Sequence, residues 1–135
     1  MSTRSVAYRR YTVHNRVSAF VRVKEYTVVH VLVTMQIKSG KMTEFLATVK
    51  ELQPFVLKEP GCLEYDFTRE VPSPLGIQEP IDENRITLVE KWESMKALEL
   101  HAQPTAEPDP RRKQLAETMR GLRESVVARV TESIA

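Results

Sequence analysis

The chain has 135 residues, 41% hydrophobic and 28% charged, a balance that suits one soluble globular domain burying its core without disulfides or a structural metal. Its single cysteine, Cys62, excludes an intramolecular disulfide framework and fits a reducing compartment. No apolar run approaches the roughly 20 residues of a membrane helix, and the first residues lack the continuous hydrophobic stretch of a signal peptide, so a cytoplasmic protein is expected.

The formal charge of +2 is unevenly placed. Residues 1–24 hold Arg4, Arg9, Arg10, Arg16, Arg22 and Lys24 and no acid, which leaves the body mildly acidic and argues against nucleic-acid binding. Residues 1–26 are therefore set apart as a basic extension, and residues 27–135 as the domain proper. The extension reads as a mobile leader, as an organelle (mitochondrial) transit peptide, or as an added strand, since Val17, Ala19, Val21 and Val23 alternate with more polar neighbours.

From Thr27 to Ile37 the alternation predicts a strand. Val29, Val31, Val33, Met35 and Ile37 share a wholly apolar face that should lie under helices. The other face, with His30, Leu32, Thr34 and Gln36, is mixed and suits packing on a partner. The turn Lys38-Ser39-Gly40-Lys41 opens a helix whose stripe is Met42, Phe45, Leu46, Val49, Leu52 and Val56, and Pro54 should kink or end it. Glu59-Pro60-Gly61 closes that element. A second strand, CLEYDFTRE, turns Leu63, Tyr65 and Phe67 to one side.

Residues 71–84 carry three prolines and one glycine and exceed an ordinary hairpin loop, so an arm or lid is expected. Ile86 to Trp92 is a half-buried strand. Ser94 is the expected N-cap of a short helix with Met95, Leu98 and Ala102 at helical spacing and His101 beside them. HAQPTAEPDP is a break, Arg111 to Leu122 a helix with Leu115, Met119 and Leu122 on one face, and ESVVARVTES a final strand. The order β-α-β-β-α(α)-β predicts an α+β fold: a ferredoxin-like antiparallel sheet with helices on one face. Its second face needs a cover, for which a second copy about a two-fold axis is the common solution.

EPGCLEYDF (Glu59 to Phe67), NRITLVEKWES (Asn84 to Ser94) and ALELH (Ala97 to His101) resemble the antibiotic-biosynthesis monooxygenase family. The SGK turn is similar to that family's PGK, with Ser39 in place of proline. The resemblance, over roughly Thr27 to Ser133, implies a homodimeric α+β barrel with a pocket between sheet and helices in each protomer. It further implies cofactor-independent oxygenation, without metal or flavin, of a small aromatic quinol or polyketide-type substrate by molecular oxygen. Its alternative is a non-catalytic dimeric barrel that binds a small hydrophobic ligand or a protein partner. Haem degradation is disfavoured, because Val33 stands where the haem-degrading relatives place an asparagine and the Arg111 to Leu122 helix has no histidine.

Such chemistry requires a water-poor cavity, a base and a hydrogen-bond donor. His101 is the candidate acid or base, and Trp92 the candidate for ring stacking and N–H donation. Tyr65 is the candidate for positioning the ring. Each has an ordinary structural alternative: a helix-end histidine, a core tryptophan, a core tyrosine with a satisfied hydroxyl. Glu90, on the face of Leu88 and Trp92, is either a buried acid with a raised pKa or the partner of a cation. His30 belongs to the mixed face, and Cys62 reads as a small buried thiol. His14, His30 and His101 lack metal-ligand spacing, and no glycine-rich phosphate loop is present.

Overall fold

The structure is a computed structural model; it describes the backbone of residues 6–13 and 16–24, and residues 27–103 and 109–135 with their side chains. Strands β1 (Val6–Val13) and β2 (Arg16–Lys24) pair antiparallel, Val6 opposite Lys24, in a two-stranded sheet of their own. The stretch weighed as an added strand thus pairs within the leader, separate from the main sheet.

The main sheet contains β3 (Val29–Ile37), β4 (Cys62–Arg69), β5 (Arg85–Trp92) and β6 (Arg123–Glu132) in the order β4-β5-β3-β6. β5 runs antiparallel to both β3 and β4, which makes β3 and β4 parallel with β5 inserted between them. This is the split βαβ arrangement of the ferredoxin-like fold. Helices α1 (Met42–Leu57), α2 (Met95–His101) and α3 (Pro110–Gly121) complete it. The middle of the HAQPTAEPDP break, residues 104–108, lies outside the described residues.

Strict alternation on the two central strands builds the core. Val29, Val31, Val33, Met35 and Ile37 of β3 are buried, as are Ile86, Leu88, Glu90 and Trp92 of β5. They meet Phe45, Val49, Leu52 and Val56 from α1 and Leu115 and Met119 from α3. On the opposite face of β3, Leu32 and Thr34 are exposed, as the mixed composition there requires.

Pro54, expected to kink or end α1, lies in the last turn of the helix, which runs to Leu57. The ring is exposed and the helix gives up one backbone hydrogen bond there, while Phe55 and Val56 after it still pack on the core. Two local expectations are corrected. Leu63 does not share the face of Tyr65: the register shifts between Cys62 and Glu64, and that bulge turns Leu63 outward to 53% exposure. Met95 is also exposed, because α2 presses the small Ala97 onto the sheet instead.

That close approach depends on Gly61, which has φ +82°. A Cβ there would come within 2.6 Å of the Ala97 Cβ. The Gly61 carbonyl accepts a 2.8 Å hydrogen bond from the Glu93 amide, so the turn after α1 and the turn after β5 are tied at one point. Ser94 caps α2 as expected, its Oγ accepting from the Ala97 amide at 3.1 Å.

Candidate functional site

Four elements deliver side chains to one end of the sheet. The two-residue period of β5 puts Glu90 and Trp92 on the helix-covered face. The capped turn at Ser94 then folds α2 back, so that His101 in its last turn lies over Trp92, ring centroids 4.6 Å apart and planes 32° apart. Tyr65, from β4, meets the same imidazole edge-on at 5.9 Å. Glu59, just after α1, and Arg112, in the first turn of α3, close the far side. Asp109 caps α3, accepting from the Arg111 and Arg112 amides, and so fixes where Arg112 begins.

The polar atoms form a chain. The Trp92 Nε1–H donates to Glu90 Oε1 at 3.0 Å. The His101 Nε2 lies 3.9 Å from that same oxygen, beyond direct hydrogen-bond length. Its Nδ1 is 2.5 Å from Glu59 Oε2, and Arg112 Nη2 donates to Glu59 Oε1 at 2.6 Å.

These groups border a cavity of about 490 Å³ between sheet and helices. Val31, Val33, Leu52 and Val130 give it apolar walls, Tyr65, Glu90, His101 and Arg112 supply polar atoms, and Lys113, Glu117 and Arg120 of α3 also border it. The volume lies within the roughly 300–1,000 Å³ range of small-molecule pockets, and the composition is that of one. A second hollow of about 480 Å³ lies at the root of the arm, bordered by Met42, Leu46 and Ile81, but its acid Glu70 is held by Arg85. Among the described residues, no three His, Cys, Asp or Glu side chains are arranged to hold a metal ion.

Burial sets the electrostatics. Removal from water pushes the Glu90 carboxyl above its usual range, an effect opposed by the Trp92 N–H and by His101. Burial, reinforced by Glu90, raises the Tyr65 phenol, so it stays a hydrogen-bond donor at neutral pH. The Cys62 thiol is pushed up to about 11 by burial and by the nearby Glu59 and Glu90 carboxylates, so it is not a thiolate nucleophile.

All three sequence-derived candidates are therefore gathered in one place, but not equivalently. His101 and Tyr65 border the cavity, whereas Trp92 has no exposed surface, stacks on His101 and donates its N–H to Glu90. Glu90 is a buried acid pushed upward by burial, and it also lies 3.9 Å from the His101 Nε2, so both readings of it have support. His30 lies on the opposite face of β3, beside Lys91 and Thr131. Glu59 and Arg112 are the members that sequence reasoning passed over.

The antibiotic biosynthesis monooxygenase profile matches residues 28–106, which span Glu59, Tyr65, Glu90, Trp92 and His101. The chain belongs to this family. Similar solved structures agree on the fold. A candidate antibiotic biosynthesis monooxygenase from Caulobacter crescentus CB15 is 22% identical, with 82% of this chain and 92% of that chain covered at a TM-score of 0.63. A conserved protein from Methanosarcina mazei Go1 is 20% identical over 78% and 91%, TM-score 0.61. SnoaB, a cofactor-independent oxygenase from Streptomyces nogalater, is 15% identical over 81% and 95%, TM-score 0.59. No protein of curated function matches this chain by sequence.

Proposed function

We propose that residues 27–135 form a homodimeric, cofactor-independent monooxygenase that acts on a small aromatic quinol or polyketide-type substrate, preceded by a basic extension and working in the cytoplasm. One observation carries the reading: a largely apolar cavity of about 490 Å³ ends on an imidazole, a buried carboxyl and a phenol. The exposed Leu32 and Thr34 face of β3 supports a second copy as its cover. The name of SnoaB, a cofactor-independent oxygenase of similar fold, supports the reaction class.

In this reading an aromatic ring lies against Val31, Val33 and Leu52. His101 removes its acidic proton, and the electron pair stays on the substrate as an enolate or phenolate. That anion passes one electron to molecular oxygen, the two radicals join in a C–O bond, the resulting peroxide anion takes a proton back from His101, and loss of water from the hydroperoxide leaves a ketone or quinone. Tyr65 donates a hydrogen bond to the oxyanion. Trp92 acts from beneath, holding the Glu90 carboxyl and the plane of the imidazole.

Oxygen uptake with anthrone tests this. His101→Ala should slow turnover about 100-fold, the usual weight of a general base. Trp92→Phe, which keeps an aromatic face but deletes the N–H with the five-membered ring, should slow it less, with the dimer intact in both. Unchanged turnover in both variants would remove the assignment.

One observation favours the other reading, a non-catalytic barrel that binds a hydrophobic ligand. The Trp92 N–H and the His101 Nδ1 already have partners without any ligand. Anthrone binding with no oxygen uptake would select it.

A further inference from the structure

We propose that Glu59 is the exit of a proton relay: the substrate's proton is taken by His101 Nε2 facing the cavity, while the Nδ1 proton passes to Glu59 Oε2 and on to solvent. This rests on the reading of His101 as a base toward a cavity-bound carbon or oxygen acid. The proposal adds a positioning residue that binds no substrate and a direction for the proton.

The geometry distinguishes the two ring nitrogens. Nδ1 is 2.5 Å from Glu59 Oε2, and Arg112 holds the other oxygen of that carboxylate at 2.6 Å. The carboxylate therefore presents one free edge to the imidazole and has little freedom to turn away. Arg112 Nη2 also lies 3.4 Å from Nδ1, but the carboxylate at 2.5 Å is the nearer partner and places the neutral ring's proton on Nδ1, which leaves the Nε2 lone pair to work as base. Nε2 is not in hydrogen-bond contact with Glu90, which lies 3.9 Å away. The Trp92 face at 4.6 Å and the Tyr65 edge at 5.9 Å hold the ring plane and oppose a flip that would exchange the nitrogens.

Exposure runs in the required direction. The side chains of Glu90, His101 and Glu59 are 6%, 17% and 23% exposed, a rise from the cavity end to the solvent end. Glu90 and His101 border the cavity, and Glu59 stands behind His101 outside that lining. The charged and titratable groups around His101 are Glu59 after α1, Tyr65 from β4, Glu90 from β5 and Arg112 from α3. Glu59 combines direct contact with the imidazole and access to water.

The proton step balances without an oxidant. A C–H or O–H bond of the substrate breaks, its electron pair stays on the substrate, an N–H bond forms at Nε2, and the bond at Nδ1 passes its proton to the carboxylate. Run backward in heavy water, the same path returns a deuteron, so anaerobic deuterium exchange into the methylene group of anthrone isolates it from oxygen chemistry. Glu59→Gln keeps the shape and a hydrogen-bond acceptor but takes up no proton at neutral pH.

The wild type should exchange above the buffer background, and Glu59→Gln, still folded at the assay temperature, should exchange at least tenfold more slowly with unchanged anthrone affinity. The slowed variant should also show an altered pH profile, which a merely structural glutamate would not give. Equal exchange in both proteins overturns the relay while leaving the oxygenase reading in place if oxygen uptake persists. No exchange and no uptake in the wild type overturns both. A substrate-free arm is decisive by itself: ¹⁵N spectra of neutral His101, assigned with His101→Gln, should show the proton on Nδ1, and a proton on Nε2 defeats the proposal.

Discussion

Gly61 shows how much of the site hangs on one residue outside it. Its φ of +82° lies where side chains are strained, and an added Cβ would also stand 2.6 Å from the Ala97 Cβ and 2.8 Å from the Glu93 Cγ. The Glu93 side chain can swing aside, but the Ala97 Cβ is fixed to the α2 backbone, so the helix itself must move. Gly61→Ala should cost about 1–3 kcal/mol from backbone strain, read as a lowered urea midpoint. Activity should fall further than that loss explains, because α2 carries His101. A variant with wild-type stability and turnover would show that α2 is not held by this contact.

Neighbouring residues show what the sequence makes visible. Ser94 as the cap of α2 and the alternation of Ile86, Leu88, Glu90 and Trp92 are local patterns, and both are found as read. Glu59 and Arg112 leave no such trace. Glu59 is 42 positions from the histidine it contacts, and Arg112 is 11 positions from it across a proline-rich break. A glutamate before Pro-Gly and an arginine in a first helical turn look like solvated ends. Only the packing of α1, α2 and α3 on one sheet makes them partners.

At the scale of the element, the 71–84 segment is an ordered arm clasped at its base. Arg85 pairs with Glu70 through both Nε and Nη2, the latter at 2.8 Å, and the Asp82 amide donates to the Glu70 carboxylate. Further out, Gln78 Nε2 donates to the Val71 carbonyl at 2.7 Å. The Arg85 hydrogen bond, the leading influence, holds the Glu70 carboxyl below its ordinary range. A depressed carboxyl stabilises above its unfolded pKa, and that contribution is lost as pH falls through the folded one. The clasp should therefore survive acidification through the usual glutamate value of about 4.3 and open only below it. Glu70→Gln should loosen the arm at neutral pH, seen as faster hydrogen exchange at the Asp82 amide and easier cleavage within residues 71–84. Exchange equal to wild type would show that the backbone turns alone hold the arm.

The elements also show where pattern reading stops. Periodicity identified every helix and strand of the domain, because two-residue and 3.6-residue repeats are local. The bulge that expels Leu63 and the passage of α1 through Pro54 depend on what the rest of the molecule offers in return. Around Leu63 the reward is the placement of Tyr65 opposite Glu90.

Across the whole molecule, Glu90 couples the cavity to stability. Its carboxyl is raised chiefly by burial, so the folded chain holds that proton more tightly than the unfolded chain does. The sign follows: as pH rises from about 4.3 through the raised value, this group makes folding progressively less favourable. Glu90→Gln retains an acceptor for the Trp92 N–H and has no charge to bury. It should gain stability relative to wild type as pH rises through that window, measured by urea denaturation at a series of pH values. A constant difference between the two proteins would mean that Glu90 titrates normally.

The chain's one tryptophan is sealed in the core with its ring against His101. Indole emission is quenched by a protonated imidazole at van der Waals distance, and no second tryptophan contributes background. The protein thus carries an intrinsic optical reporter of the contact between Trp92 and His101. Stopped-flow fluorescence can follow that contact in the unlabelled chain while a substrate enters the adjoining cavity and leaves it.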